Sequence, residues 1–190
     1  MNYYPAFLNL DGKPVLLFGG GEVALRKAKV LLQAHANLTV VSREFSSPFL
    51  KWAKRHRVKL VRGTQVPKLT NTWLVVAATS DPRFNQKVYD TCQRKRIFVN
   101  VVDDPNRSSF IVPSVVRRGK LQLAISTGGA SPFLAKTIRK KLEKQFGSEY
   151  AHLFKKLAED RTRVKRNMTA KERRSYFQKQ VVSQLKALSR

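Results

Sequence analysis

The chain has 190 residues, is 42% hydrophobic, and carries 38 basic against 12 acidic side chains for a formal charge of +26. That length allows a real buried core in one or two domains. No apolar run approaches the roughly 20 residues of a membrane span, and the lone Cys92 excludes an intrachain disulfide and fits a reducing cytoplasm.

The charge is spread along the chain. Residues 136–190 alone hold 17 basic and 5 acidic side chains, and the remainder is basic too. A field of this sign attracts nucleic acid, anionic lipid or a multiply carboxylated metabolite, and sign alone does not choose among them. The N-terminal MNYYPAFLNLDGK lacks the charged-then-apolar layout of a signal peptide. Tyr3 to Leu10 is expected to form a short extra strand or an arm.

Val15 to Phe18 is a continuous apolar run, as a strand buried on both faces requires. Gly19, Gly20 and Gly21 follow at once, and a helix is expected over Glu22 to Ala34. Gly19, Gly21 and Ala24 give the G-x-G-x-x-G/A spacing in its strand–turn–helix setting. Gly19 permits the tight turn, Gly21 lets the backbone approach a pyrophosphate, and Ala24 lets helix and strand pack closely. Exposed amides and the helix dipole then favour a bound anion. Val23, Leu25, Ala28, Leu31 and Leu32 lie near one face, with Arg26, Lys27 and Lys29 assigned elsewhere. His35 stands where a glycine often ends such a helix.

Asn37 to Val41 is the second strand. At its end, where a dinucleotide fold places an acidic residue for the ribose, stand Ser42, Arg43 and Glu44. Ser42 can bond a ribose hydroxyl and Arg43 could accept a 2′-phosphate, so this position leaves NAD and NADP both open. A helix at Ser46 to Arg55, a strand at Val58 to Val61, and a strand at Trp73 to Ala77 follow. The last ends in Ala78-Thr79-Ser80-Asp81, small and hydroxylated residues that suit a cofactor crevice. A helix at Arg83 to Arg94 and a strand at Ile97 to Val102 complete an alternation that predicts a Rossmann-type, doubly wound parallel sheet.

The pattern then changes. Ser109 to Val116 and Leu121 to Ser126 read as an antiparallel hairpin, and the chain from Phe133 onward as about three basic helices broken near Gly147-Ser148 and Asn167 to Thr169. Ser131 is the expected N-cap and Pro132 the first helical residue. The division expected is an NAD-binding domain over 1–108, a β dimerisation segment over 109–130 and a basic helical domain over 131–190. Asp103 and Asp104 fall at the rim after the fifth strand. One carboxylate there could take a proton as a hydride leaves, or the pair could simply shape a turn. The three histidines and one cysteine show no metal-ligand spacing, and no metal site is expected.

Together, GGGEVALRKA (19–28), ATSDPRFN (78–85), NVVDDPNRSSFIVPS (100–114) and ISTGGASPFLAKTIRKKLE (125–143) resemble the precorrin-2 dehydrogenase family, which includes the N-terminal half of multifunctional sirohaem synthase. The resemblance implies NAD-dependent oxidation of precorrin-2 to sirohydrochlorin, in some members followed by Fe2+ insertion. A cytoplasmic location is expected from the cysteine usage, and a homodimer from the 109–126 β segment followed by long helices. The resemblance places the essential aspartate on Asp103. Cofactor contacts are implied at Gly19, Gly20, Gly21, Glu22, Val23, Ser42, Arg43 and Glu44, with Thr79 beside them. For the octacarboxylate substrate it offers Arg107, Arg117, Arg118, Lys120, Lys136 and Arg139, together with Thr127, which falls where some relatives have serine. With no room for the methyltransferase domain of the multifunctional relatives, making precorrin-2 is expected to fall to a separate protein. No membrane and no specific nucleic acid is expected as a partner. The alternative is an NAD(H)-sensing Rossmann regulator whose basic helices bind nucleic acid.

Overall fold

The computed structural model describes residues 3–188 and divides the chain into two compact units, Met1–Ile111 and Val112–Arg190. The first is built on five parallel strands: β1 (Pro14–Phe18), β2 (Asn37–Ser42), β3 (Lys59–Arg62), β4 (Leu74–Ala77) and β5 (Phe98–Val101), in the order β3-β2-β1-β4-β5. Parallel neighbours need crossovers, which α1 (Glu22–Gln33), α2 (Ser47–Arg55) and α3 (Pro82–Lys95) supply.

Alternation along the strands sorts the core into two layers. Val15 and Leu17 of β1, with Leu74 and Val76 of β4, pack with Ala24, Leu25, Ala28 and Leu31 of α1 and Phe49 and Ala53 of α2. Phe18, Val75, Ala77, Val99 and Val101 pack on the other face with Val88 and Cys92 of α3. A sheet covered on both faces is the doubly wound architecture expected from the sequence. Phe18, Phe49, Leu17 and Leu74 are fully buried, each worth about 1.5–3 kcal/mol by transfer.

Strand order reverses between β1 and β4. Successive strands grow outward from β1 on one side and from β4 on the other, so a crevice opens beyond their carboxyl ends.

The termini of these elements lie within a residue or two of expectation, with local causes. Asp81 accepts from the amides of Arg83 and Phe84 and starts α3, with Pro82 as its first residue. His35 takes φ 59°, closing α1 in the left-handed conformation without a glycine. Of the two forms expected for Tyr3 to Leu10, the chain takes the arm, anchored by buried Leu10, with Tyr4 and Phe7 exposed. One expectation is corrected: the stretch 109–113 is not strand. Ser109 instead bonds back to β5, its hydroxyl accepting from the Val99 amide at 2.7 Å and its amide donating to the Val99 carbonyl at 2.8 Å. Segment 108–110 thereby covers the outer edge of β5, which would otherwise present unpaired groups.

The second unit begins with the hairpin β6 (Ser114–Arg118) and β7 (Leu121–Ile125), turning at Gly119 (φ 60°). Three helices follow: α4 (Pro132–Gln145), α5 (Glu149–Asn167) and α6 (Ala170–Leu188). Ser131 caps α4 through the Leu134 amide, and Thr169 with Glu172 forms a reciprocal capping box at the start of α6. Among the described residues, no helix is long and apolar enough to cross a membrane.

Candidate functional site

The glycine turn after β1 sits where the strand order reverses, and each glycine answers to a different neighbour. Gly19 has φ 122°, and its Cα faces the Ala78 carbonyl at the end of β4, so a side chain there is excluded twice over. A Cβ on Gly20 would enter the backbone of Glu44 and Phe45 and lie 2.9 Å from the Ser42 hydroxyl. The loop after β2 folds directly over this residue, held by the Ser46 amide on the Gly20 carbonyl at 3.0 Å. Gly21 is different: nothing lies within 4 Å of its Cβ position.

Gly21 is also the N-cap of α1, and no side chain caps that end, whereas Ser46 and Asp81 cap α2 and α3. First-turn amides without a capping side chain, in front of open space and at the positive end of a helix, fit the pyrophosphate of a dinucleotide. Glu22 and Val23 open this helix, the first exposed and the second half-buried. The residues present therefore fit the group.

The rest of the rim is less open than the sequence suggests. The Ser42 hydroxyl donates to the Glu44 carbonyl at 2.6 Å, so its proton holds the loop and only its lone pairs face outward. The Arg43 and Glu44 side chains are exposed. Thr79 donates to Asn85 Oδ1 at 2.7 Å and accepts from the Asp81 amide at 3.3 Å, while Asn85 Nδ2 returns to the Thr79 carbonyl at 3.0 Å. Thr79 thus shapes the β4–α3 turn. Buried Asn85, which the sequence pattern presented as one more helical residue, is what locks it.

The two aspartates after β5 divide their work. Asp104 caps a 3-10 turn over Pro105–Arg107 through the Arg107 amide and pairs with the Arg107 guanidinium at 2.9 Å. Arg107 is therefore engaged locally. Asp103 is exposed, at φ 61°, and among the described residues its carboxylate accepts no hydrogen bond and makes no ion pair.

Ser108 holds this turn. Its hydroxyl accepts from the Val101 amide at 2.9 Å and lies 2.8 Å from the Asp104 carbonyl, its nearest acceptor. Sequence reasoning passed over Ser108, although a hydroxyl pair closing the run Asp103-Asp104-Pro105-Asn106-Arg107 was a visible turn signal.

In the second unit the basic residues separate likewise. Arg118 donates to the carbonyls of Phe146 at 2.6 Å and Glu143 at 2.8 Å, capping the C-terminal end of α4. Arg139 pairs with Glu143. Thr127 closes its loop onto the backbone of Ser131, at 3.1 Å for both amide and carbonyl. Arg117, Lys120 and Lys136 are exposed, and among the described residues their side chains make no hydrogen bond or ion pair. Among the described residues, no group of three or more His, Cys, Asp or Glu could hold a metal ion.

Parallel order, switch point, glycine turn and open helix end define a dinucleotide-binding Rossmann unit. Comparison with known proteins agrees. A family model described as NAD(P)-binding matches residues 6–114, and one described as the central part of a sirohaem biosynthesis protein matches residues 118–145. Siroheme synthase 1 of Yersinia pestis (strain Pestoides F) is 43% identical over 181 residues, covering 94% of this chain. Siroheme synthase 3 of Aeromonas hydrophila is 51% identical over 144 residues, covering 75% of this chain. The chain spans only 38% and 31% of those relatives' own lengths. The solved structure of SirC, a precorrin-2 dehydrogenase, superposes with a TM-score of 0.77 at 31% identity, covering 91% of this chain and 86% of that one. The chain belongs to the precorrin-2 dehydrogenase family of sirohaem biosynthesis, and its cofactor is NAD.

Proposed function

We propose that this protein oxidises precorrin-2 to sirohydrochlorin. The observation that carries the reading is Asp103: a carboxylate without a hydrogen-bond partner among the described residues, at the same sheet edge as the glycine turn, in a chain of this family. When bound, NAD+ supplies a two-electron hydride acceptor. The chain's own residues orient and deprotonate. The glycine turn and the open end of α1 fix the pyrophosphate, and the Thr79–Asn85 turn and the Ser108 turn set the crevice walls. Asp103 takes the proton that leaves as the substrate gives up its hydride.

Arg117, Lys120 and Lys136 are proposed to meet carboxylates of the substrate. Fe2+ insertion is proposed as a second activity, the iron taking its ligands from the macrocycle. A cytoplasmic homodimer is proposed as well, on the exposed apolar side chains Val112 and Phe133 of the second unit.

The test is anaerobic incubation with precorrin-2 and NAD+, following NADH and tetrapyrrole absorbance together. Stoichiometric NADH and sirohydrochlorin from the wild type, with loss in Asp103→Asn, is the expected result. Absence of NADH from wild-type protein that still binds NAD+ rejects the reading. Adding Fe2+ against the uncatalysed rate decides the second activity, and sedimentation decides the dimer.

A further inference from the structure

The end of β2 decides which dinucleotide a fold of this kind holds. A carboxylate there bonds the ribose hydroxyls of NAD, and an arginine there accepts the 2′-phosphate of NADP. In this chain the strand ends on Ser42, and no carboxylate stands at that position. Ser42 lies beside the glycine turn, its hydroxyl 2.9 Å from the place a Cβ on Gly20 would take. Its proton is committed to the Glu44 carbonyl at 2.6 Å. A single hydroxyl oxygen is left to accept from a ribose, where a carboxylate offers two.

The neighbouring strand supplies a cation. β3 runs parallel to β2 with Arg62 opposite Ser42, and the Gly63 amide donates to the Ser42 carbonyl at 3.1 Å. Side chains alternate along a strand. Ser42 follows Val40 by two residues and Arg62 follows Leu60 by two, and Val40 and Leu60 share one core layer. Gly20, Ser42 and Arg62 therefore stand in a row at the carboxyl edge of the sheet, with Arg43 the next residue past the strand. Neighbouring strands lie about 4.8 Å apart, less than the length of an arginine side chain, so a group bound at Ser42 is within reach of Arg62. Both arginines are exposed, and among the described residues neither makes a hydrogen bond or an ion pair. Glu44 is the single acidic residue between Glu22 and Asp81, and it pairs with neither of them.

We infer that the end of β2 is a 2′-phosphate site: Arg43 and Arg62 take the phosphate on the adenosine ribose, and the protein binds NADP+ as well as NAD+. The inference rests on the dinucleotide site alone and not on the oxidation of precorrin-2. A phosphate monoester presents several charged acceptor oxygens, and guanidinium meets them with paired donors. The missing carboxylate matters equally, because a carboxylate in place of Ser42 would repel that phosphate. NAD+ binds through the glycine turn and the open end of α1, which serve the pyrophosphate common to both cofactors.

Titration of the full chain with NAD+, NADP+ and two fragments, adenosine 2′,5′-bisphosphate and adenosine 5′-monophosphate, tests this without a tetrapyrrole. NADP+ is expected to bind within about tenfold of NAD+ or more tightly. The bisphosphate should bind more tightly than the monophosphate, and its advantage should shrink at high salt, where exposed charges are screened. In Arg43→Ala and in Arg62→Ala the ratio of NADP+ to NAD+ affinity should fall about tenfold, as loss of a charge-assisted bond implies. Arg62→Lys should keep part of that ratio, since the charge stays and the paired geometry goes. NAD+ binding by each variant reports that it is folded.

A wild-type protein that binds NADP+ more than about tenfold more weakly than NAD+ overturns the inference. So do arginine variants in which both cofactors weaken alike. If wild-type protein oxidises no precorrin-2 with either cofactor yet shows the expected ratios, the functional reading fails and the phosphate site stands.

Discussion

The carbonyl of Glu44 occupies the place a Cβ on Gly20 would need, while the corresponding place on Gly21 is open. Adjacent glycines of one motif are thus required for different reasons, one by the chain's own loop and one by the ligand. Gly20→Ala is expected to destabilise the protein by about 1–3 kcal/mol, as overpacking does, because the obstacle is backbone that cannot swing aside. Gly21 has φ −88°, which alanine adopts freely. Gly21→Ala should therefore fold normally and bind NAD+ about tenfold more weakly, a loss of roughly 1.4 kcal/mol. Thermal unfolding and NAD+ titration of the two variants separate the roles, and equal stability of both would contradict the geometry.

Asp103 and Asp104 invite a second paired comparison. Asparagine tolerates the left-handed backbone that Asp103 adopts, so Asp103→Asn should keep its fold and lose about 10²–10⁴ in turnover, the usual worth of a general base. Asp104→Ala removes a cap and an ion pair that is partly exposed. It should cost about 1 kcal/mol in stability and less in turnover than Asp103→Asn. Circular dichroism melts alongside the NADH assay check both, and the reverse ranking in turnover would move the acceptor role to Asp104.

What the sequence made legible was set by local rules. The buried parallel strands announce themselves as Val15–Phe18 and Trp73–Ala77 because both faces are covered. The starts of α3 and α4 follow from Asp81-Pro82 and Ser131-Pro132. What stayed hidden were hydrogen bonds between residues brought together by the fold. Nothing in the letters says that Ser42 turns its proton onto Glu44, or that Arg118 reaches the end of α4 across 28 positions. The segment 109–113 looked like strand because its residues are apolar, yet β5 needed an edge cover more than the hairpin needed length.

Cys92 offers a probe of the first unit. Its thiol is fully buried, and burial raises its pKa from 9.0 to about 11. The folded state therefore holds its proton where an unfolded chain releases it. That contribution to stability is complete below about pH 9 and is lost as pH rises through about 11. At neutral pH, folded protein should react with a thiol reagent only through opening, so labelling should accelerate steeply at the melting transition. Fast labelling of native protein would show that the α3 layer opens locally.

The basic residues of the second unit give the last prediction, because the structure separates them by what they already hold. Arg118 satisfies two carbonyls at the end of α4, groups that a helix leaves without internal partners. Arg118→Ala strands them half-buried, and a cost of about 1–3 kcal/mol is expected, visible as a lower melting temperature. Among the described residues Arg117, Lys120 and Lys136 make no hydrogen bond or ion pair, so their alanine variants should melt within about 0.5 kcal/mol of wild type. If they meet substrate carboxylates, they should raise KM for precorrin-2 with kcat little changed, the signature of lost uniform binding. The effect should shrink at high salt, where exposed charges are screened over a few ångströms. An unchanged KM in the triple variant would assign these three side chains to general surface charge and leave recognition to residues of the first unit.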